Sequence, residues 1–242
     1  MFTIFKKEIN QFFSSLVGYI AIGIFLVLSA LFTFVFPTTS ILDSGFASLD
    51  TFFSNAPLFF LFLIPAITMR MFAEEFNTGT IELLVTRPLS MNQIIGGKYF
   101  AALALVVFSV VPTFIYYFTL SSIAAPAGNV DTGGIIGSYF GLLLLGASFV
   151  ALGAFSSAIT NNQIIAFLVG VLFCFLFYMG FDFIAKLPIF VGKTDYFVEH
   201  IGINAHYLSM SRGVIDTRDL FYFLSLIVLF LLFTKTALER RK

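Results

Sequence analysis

The stretch Met71–Phe100, MFAEEFNTGTIELLVTRPLSMNQIIGGKYF, decides how this chain is read. It gathers Glu74, Glu75, Glu82, Arg87 and Lys98, while the residues on either side are mostly Phe, Leu, Ile and Val. Over all 242 residues, 59% are hydrophobic and only 11% charged, with a mean hydropathy of +1.01. A soluble domain carries roughly 25% charged residues. The chain therefore belongs in a bilayer, and the charged stretch is a connector between two membrane helices.

Crossing a bilayer takes roughly 20 apolar residues in a helix. Six runs qualify: Leu16–Phe36, Phe52–Phe72, Ile94–Ile123, Ile135–Ile159, Ile164–Ala185 and Leu220–Thr236. The expected fold is all-α, one polytopic membrane domain over residues 1–242. The first run is too long for a cleaved signal, and FVFPTTSILDSG offers no small-x-small site. With six crossings, both termini share a side with the connector. That side holds nine of the 13 Lys and Arg residues; Lys186, Lys193, Arg212 and Arg218 lie opposite. Positive charge collects on the cytoplasmic side, so both termini are expected there.

Charge inside the runs is sparse. Lys98 sits near the start of the third run and Asp182 and Lys186 near the end of the fifth, all within side-chain reach of the interface. None lies at mid-depth, which argues against a proton- or sodium-coupled carrier. Zero net charge gives no reason to expect nucleic acid. Cys174 is the single cysteine, so no internal disulfide can form.

Within the connector, Thr78 or Thr80 can cap a short helix over TIELLV, with Glu82 in its first turn. Arg87-Pro88 ends it, because the residue before proline is pushed out of helical geometry. Ser90-x-x-Gln93 then matches a capping box, with Leu89 and Ile94 as a hydrophobic staple. Pro65 and Pro112 are bending points in the second and third runs. The apolar face of the short helix needs cover. Either the lipid interface or the groove of a soluble partner supplies it.

At the N-terminus, residues 1–15 place Phe2, Phe5, Ile9, Phe12 and Phe13 at helical spacing, with Lys6 and Lys7 opposite. That describes an interfacial helix whose lysines meet anionic headgroups. The segment 186–219 is too long for a turn and predicts one or two short helices at the outer leaflet. Its His200 and His206 lack the companions of a metal site. Asp216 or Thr217 caps the sixth run, and Asp219 suits its first turn. Gly133, Gly137 and Gly141, continued by Ala147, Ala151, Ala154 and Ala158, form a small-residue stripe. It serves packing inside one bundle or a seam between two membrane subunits. IIGGKYF fails as a phosphate loop, having Asn92 where glycine is required and Tyr99 where Ser or Thr is required. Without a Gly-x-Ser-x-Gly elbow either, no catalytic residue is assigned.

PAITMRMFAEEFNTGTIELLVTRPLSMNQIIGGKYF resembles the corresponding segment of ABC type-2 exporter permeases. The resemblance implies that residues 73–93 are a coupling region docked on an ABC ATPase through Glu74, Glu75, Thr78, Gly79, Thr80, Glu82 and Leu83. FKKEINQFFSSLVGYI, with Lys6, Lys7 and Glu8, is similar to the elbow helix of that family. AHY…SRGVIDTRDLFYFLSL…LERRK holds His206, Arg212, Asp216, Arg218 and Asp219. It is similar to a subgroup serving gliding motility and copper-enzyme assembly, the gliding-motility permeases above all. By resemblance the chain sits in a bacterial inner membrane beside a second permease, alike or different, and membrane lipids. ATP and Mg belong to the ATPase, and this chain binds no cofactor. The alternative is a membrane scaffold that passes on mechanical work without a transported substrate.

Overall fold

The computed structural model describes every residue except 38, 81–89, 127, 190, 191, 193 and 242, and of Asp43 and Ser44 the backbone alone. Glu82, Leu83, the staple residue Leu89 and the body of the expected TIELLV helix therefore lie outside the described residues. Among the described residues the chain is helical without strands, and six helices are long and apolar enough to cross a membrane.

An N-terminal helix, Phe2–Phe13, is followed after Ser14–Ser15 by span 1, Leu16–Phe34. Span 2 is Asp50–Thr68, followed after a turn by a short helix, Ala73–Asn77, here called the connector root. Span 3 starts at Met91 and runs to Val110, passes through one 3-10 turn at Val111–Thr113, and continues as Phe114–Ile123. Span 4 is Thr132–Ile159. Span 5 runs over Gln163–Phe175, a π turn at Leu176–Gly180, and Phe181–Ala185. Two short helices, Asp195–Glu199 and Ile203–Met210, precede span 6, Thr217–Glu239.

Spans 3, 4 and 6 begin at polar caps a few residues outside the apolar runs. Asp131 accepts from Gly134 N at 2.9 Å and Asp216 from Arg218 N at 2.9 Å. Ser90 and Gln93 form both halves of the expected capping box. Hydropathy marks only the part of a helix that sits in hydrocarbon, whereas a cap marks where its backbone starts.

Span 4 is the mast of the bundle. In its most apolar stretch 78% of residues are buried, against 28% in spans 1, 5 and 6. Its small residues let neighbours approach closely. A β-carbon on Gly146 would lie 3.0 Å from Val106, and one on Gly153 would overlap the Thr68 hydroxyl of span 2. Polar side chains close their hydrogen bonds between helices, as lipid demands. Tyr99 of span 3 donates to Ala147 O at 3.1 Å. Ser156 donates to Ala166 O of span 5 at 3.1 Å. Ser29 of span 1 and Tyr116 of span 3 share a hydrogen bond of 2.8 Å.

Gly153→Val is therefore expected to destabilise the bundle by about 2 kcal/mol through overpacking. Gly23→Ala, where an added β-carbon meets nothing within 4 Å, is expected to be neutral or slightly stabilising. Thermal melts of the purified variants in detergent check the contrast. Equal melting temperatures would remove the close-packing account of span 4.

Candidate functional site

The two glycines and the lysine of IIGGKYF form the centre of the connector end. Gly97 has no side chain because the N-terminal helix lies against it: a β-carbon there would stand 3.1 Å from Ile4 Cβ and from Met1 O. One residue on, Lys98 is 2% exposed. Its ammonium donates to Glu8 Oε1 at 2.8 Å, Glu75 Oε1 at 2.9 Å and Met71 O at 2.5 Å. An ammonium has three donors, and here all three are used. Lys98 therefore does not reach out to the interface as its position near a span end suggests. A buried charge is tolerated only when paired and hydrogen-bonded, and this one finds its partners on three separate segments.

The N-terminal helix is tied into this cluster. Ile4, Glu8 and Gln11 face the bundle, while Phe2 is 77% exposed. Lys7, half exposed, meets Glu75 Oε1 at 3.1 Å, and Gln11 donates to Glu74 Oε2 at 3.3 Å. Lys6 is exposed. The acidic pair expected to touch an ATPase is thus engaged within the chain. Glu75 is 6% exposed beneath the N-terminal helix, and Glu74 retains a partly exposed carboxylate. Glu75 Oε2 is buried and has no partner among the described residues.

Four further side chains fix the connector root. Ser157 of span 4 accepts from Phe72 N at 3.0 Å and Ala73 N at 3.1 Å and donates to Met69 O at 3.1 Å. One hydroxyl so repairs the backbone between span 2 and the root. Arg70 donates to Ser15 Oγ at 2.7 Å. Arg241, beyond span 6, donates to Ala158 O at 2.8 Å and lies 4.3 Å from the Phe76 ring centroid. Thr78 donates to Glu74 O at 2.8 Å, and Gly79 follows at φ 69°, the left-handed conformation that ends helices. Thr78 and Thr80 share a hydrogen bond of 2.9 Å and are exposed where the connector leaves the described structure. Gln11 was legible from the Ile4, Lys7, Glu8, Gln11 spacing. Ser157 and Arg241 had no local signal beyond being polar at a span end.

The remaining site residues sit elsewhere. Pro65 lies inside unbroken helix, while Pro112 lies in the 3-10 turn that interrupts span 3. Gly137 and Gly141 face the chain's own segment before span 6: added β-carbons would stand 2.6 Å from Gly213 O and from Met210 Cβ. Gly133 is exposed. At this opposite end, His206 Nδ1 stands 2.7 Å from Asp219 Oδ1 and Nε2 stands 3.0 Å from His200 O, with the ring stacked on Tyr222. Ser209 donates to Asp219 Oδ2. Tyr207 donates to Phe53 O at 2.7 Å, and burial holds its phenol well above the usual range, so it stays a donor. Asp216 is the cap of span 6, and Arg212 and Arg218 are exposed. Among the described residues no group of three His, Cys, Asp or Glu side chains could hold a metal ion.

Removing Lys98 while leaving its carboxylates buried costs about 3–5 kcal/mol. Lys98→Met is expected to lower the melting temperature sharply, and adding Glu75→Gln with Glu8→Gln is expected to recover part of the loss. A Lys98→Met protein that melts with the wild type would contradict the buried ion cluster.

No curated protein matches the chain. The family model described as ABC-2 family transporter protein matches residues 2–240. That match spans the N-terminal helix, all six spans and both ends described above, and so the chain belongs to the ABC-2 transporter family, as a multi-pass membrane subunit of an ABC transporter distinct from its ATPase.

Proposed function

We propose that the connector end is the coupling element of this permease. A separate ABC ATPase grips the connector over residues 73–93, and the displacement it imposes is passed into the bundle. The observation that carries this reading is the set of anchors on the connector root. Glu75 binds it to span 3 and the N-terminal helix, Ser157 to span 4, and Arg241 joins its Phe76 to the end of span 6. A lever needs a stiff root, and these contacts supply one. Thr78, Gly79, Thr80, Glu82 and Leu83 form the gripping surface, Glu74 contributes its partly exposed side, and Glu75 acts from within. Pro112, where the helix of span 3 is interrupted, is the bending point.

In the same reading both termini lie in the cytoplasm, the membrane is the bacterial inner membrane, and two permeases make one pathway. ATP and Mg reside on the ATPase. The work serves gliding motility, a reading supported by the resemblance of the two terminal segments to permeases of that system.

Glu82→Lys is expected to abolish co-purification of the chain with its ATPase subunit while leaving membrane insertion unchanged. Unaltered co-purification would remove the docking surface from this account.

A further inference from the structure

A cleft of about 40 Å³ lies at the connector end between the N-terminal helix, the first turn of span 1, the end of span 2 and span 3. That volume holds about three ordered waters, or one small oxyanion. Its wall changes character along its length. Gln11, Ser15 and Arg70 are polar, while Ala66, Ala101 and Leu105 are apolar.

Charge bookkeeping singles out Arg70. Lys98 and Glu8 also line the cleft, but Lys98 has used all its donors and Glu8 Oε1 is held by Lys98. Arg70 has a neutral hydroxyl as partner, donating through Nη1 to Ser15 Oγ at 2.7 Å. Its Nε–H is buried without an acceptor among the described residues, and none of their carboxylates lies within ion-pair distance of it. A buried donor on a cation is costly to leave unmet. The guanidinium fork fits two oxygens of a phosphate, which a carbonyl or water matches less well. Arg70 stands where span 2 ends, at headgroup depth, and the apolar wall beside it suits a glycerol or acyl segment.

We propose that Arg70 is the recognition residue of a phosphate site between the N-terminal helix and the ends of spans 2 and 3, the oxyanion being carried on a phospholipid headgroup or free in solution. Its occupant fastens the N-terminal helix to the end of span 2. The site stands whether or not an ATPase grips the connector.

The test exploits the absence of tryptophan from the chain. Val17→Trp puts a single reporter on the cleft wall at a position 37% exposed. In maltoside micelles, brominated phosphatidylglycerol is titrated against brominated diacylglycerol with the same chains. The phospholipid is expected to quench at about tenfold lower concentration, the worth of one charge-assisted hydrogen bond. Arg70→Gln in the same background is expected to erase the preference, and Arg70→Lys, which keeps charge but not the fork, to retain a fraction of it. Lys6→Gln, a change of exposed charge, is expected to leave it intact. Reversal of quenching by inorganic phosphate assigns the site to the free anion, and failure to reverse it assigns the site to the lipid. Equal quenching by both lipids, or an unchanged preference in folded Arg70→Gln or Arg70→Lys, overturns the proposal.

Discussion

The buried ammonium of Lys98 is the constraint on which the rest of the connector end depends. Three acceptors converge on it: one from the N-terminal helix, one from the turn after span 2 and one from the connector root. Desolvating a charge costs several kcal/mol even after relaxation, so losing any partner is expensive. The arrangement contributes less to net stability than to uniqueness. The pose of the N-terminal helix and the exit of span 2 place all three oxygens within reach of one ammonium. Gly97 makes that pose possible by letting Ile4 approach the backbone of span 3.

Span 4 carries this local order through the membrane. Its glycine and alanine face admits spans 2 and 3, and its serines finish the hydrogen bonding of its neighbours. Ser157 holds the break after span 2, and Ser156 bonds the carbonyl of Ala166 in span 5. At the opposite end Gly137 and Gly141 seat the segment Met210–Gly213, and Tyr207 from the same region bonds Phe53 of span 2. Spans 2, 3 and 4 thus form a tightly buried core. Spans 1, 5 and 6 present most of their side chains outward, free to meet lipid or another membrane subunit. Packed interiors are dense and resist compression, which supports the proposed passage of motion from the connector root into such a core.

Much of the fold was legible because its signals are local. Hydropathy over about 20 residues finds the six spans. Ser90-x-x-Gln93 and Asp216 announce helix starts within three residues of themselves. The charged side chains were legible as unusual but not as partners. Lys98 read as a residue near the interface and Glu75 as an exposed docking acid, because Glu8 lies 90 residues before Lys98 and Glu75 lies 23 before it. A sequence does not state which distant groups meet. The partners of the N-terminal helix were hidden for the same reason: amphipathicity shows that a face is apolar, not that a buried lysine on another helix claims Glu8. In the glycine stripe, Gly137 and Gly141 lie close against another segment. Its partner, a segment of the same chain, needed the tertiary structure.

The central claim is that Lys98 locks the connector root to the N-terminal helix and span 3 as one rigid unit. Backbone hydrogen exchange in the intact chain tests it most directly. Exchange over residues 69–80 is predicted to be slow in the wild type. Lys98→Met is predicted to speed it there and over residues 2–13, while span 4 stays protected. Fast exchange at 69–80 in the wild type, or no change there on losing Lys98, would contradict the account.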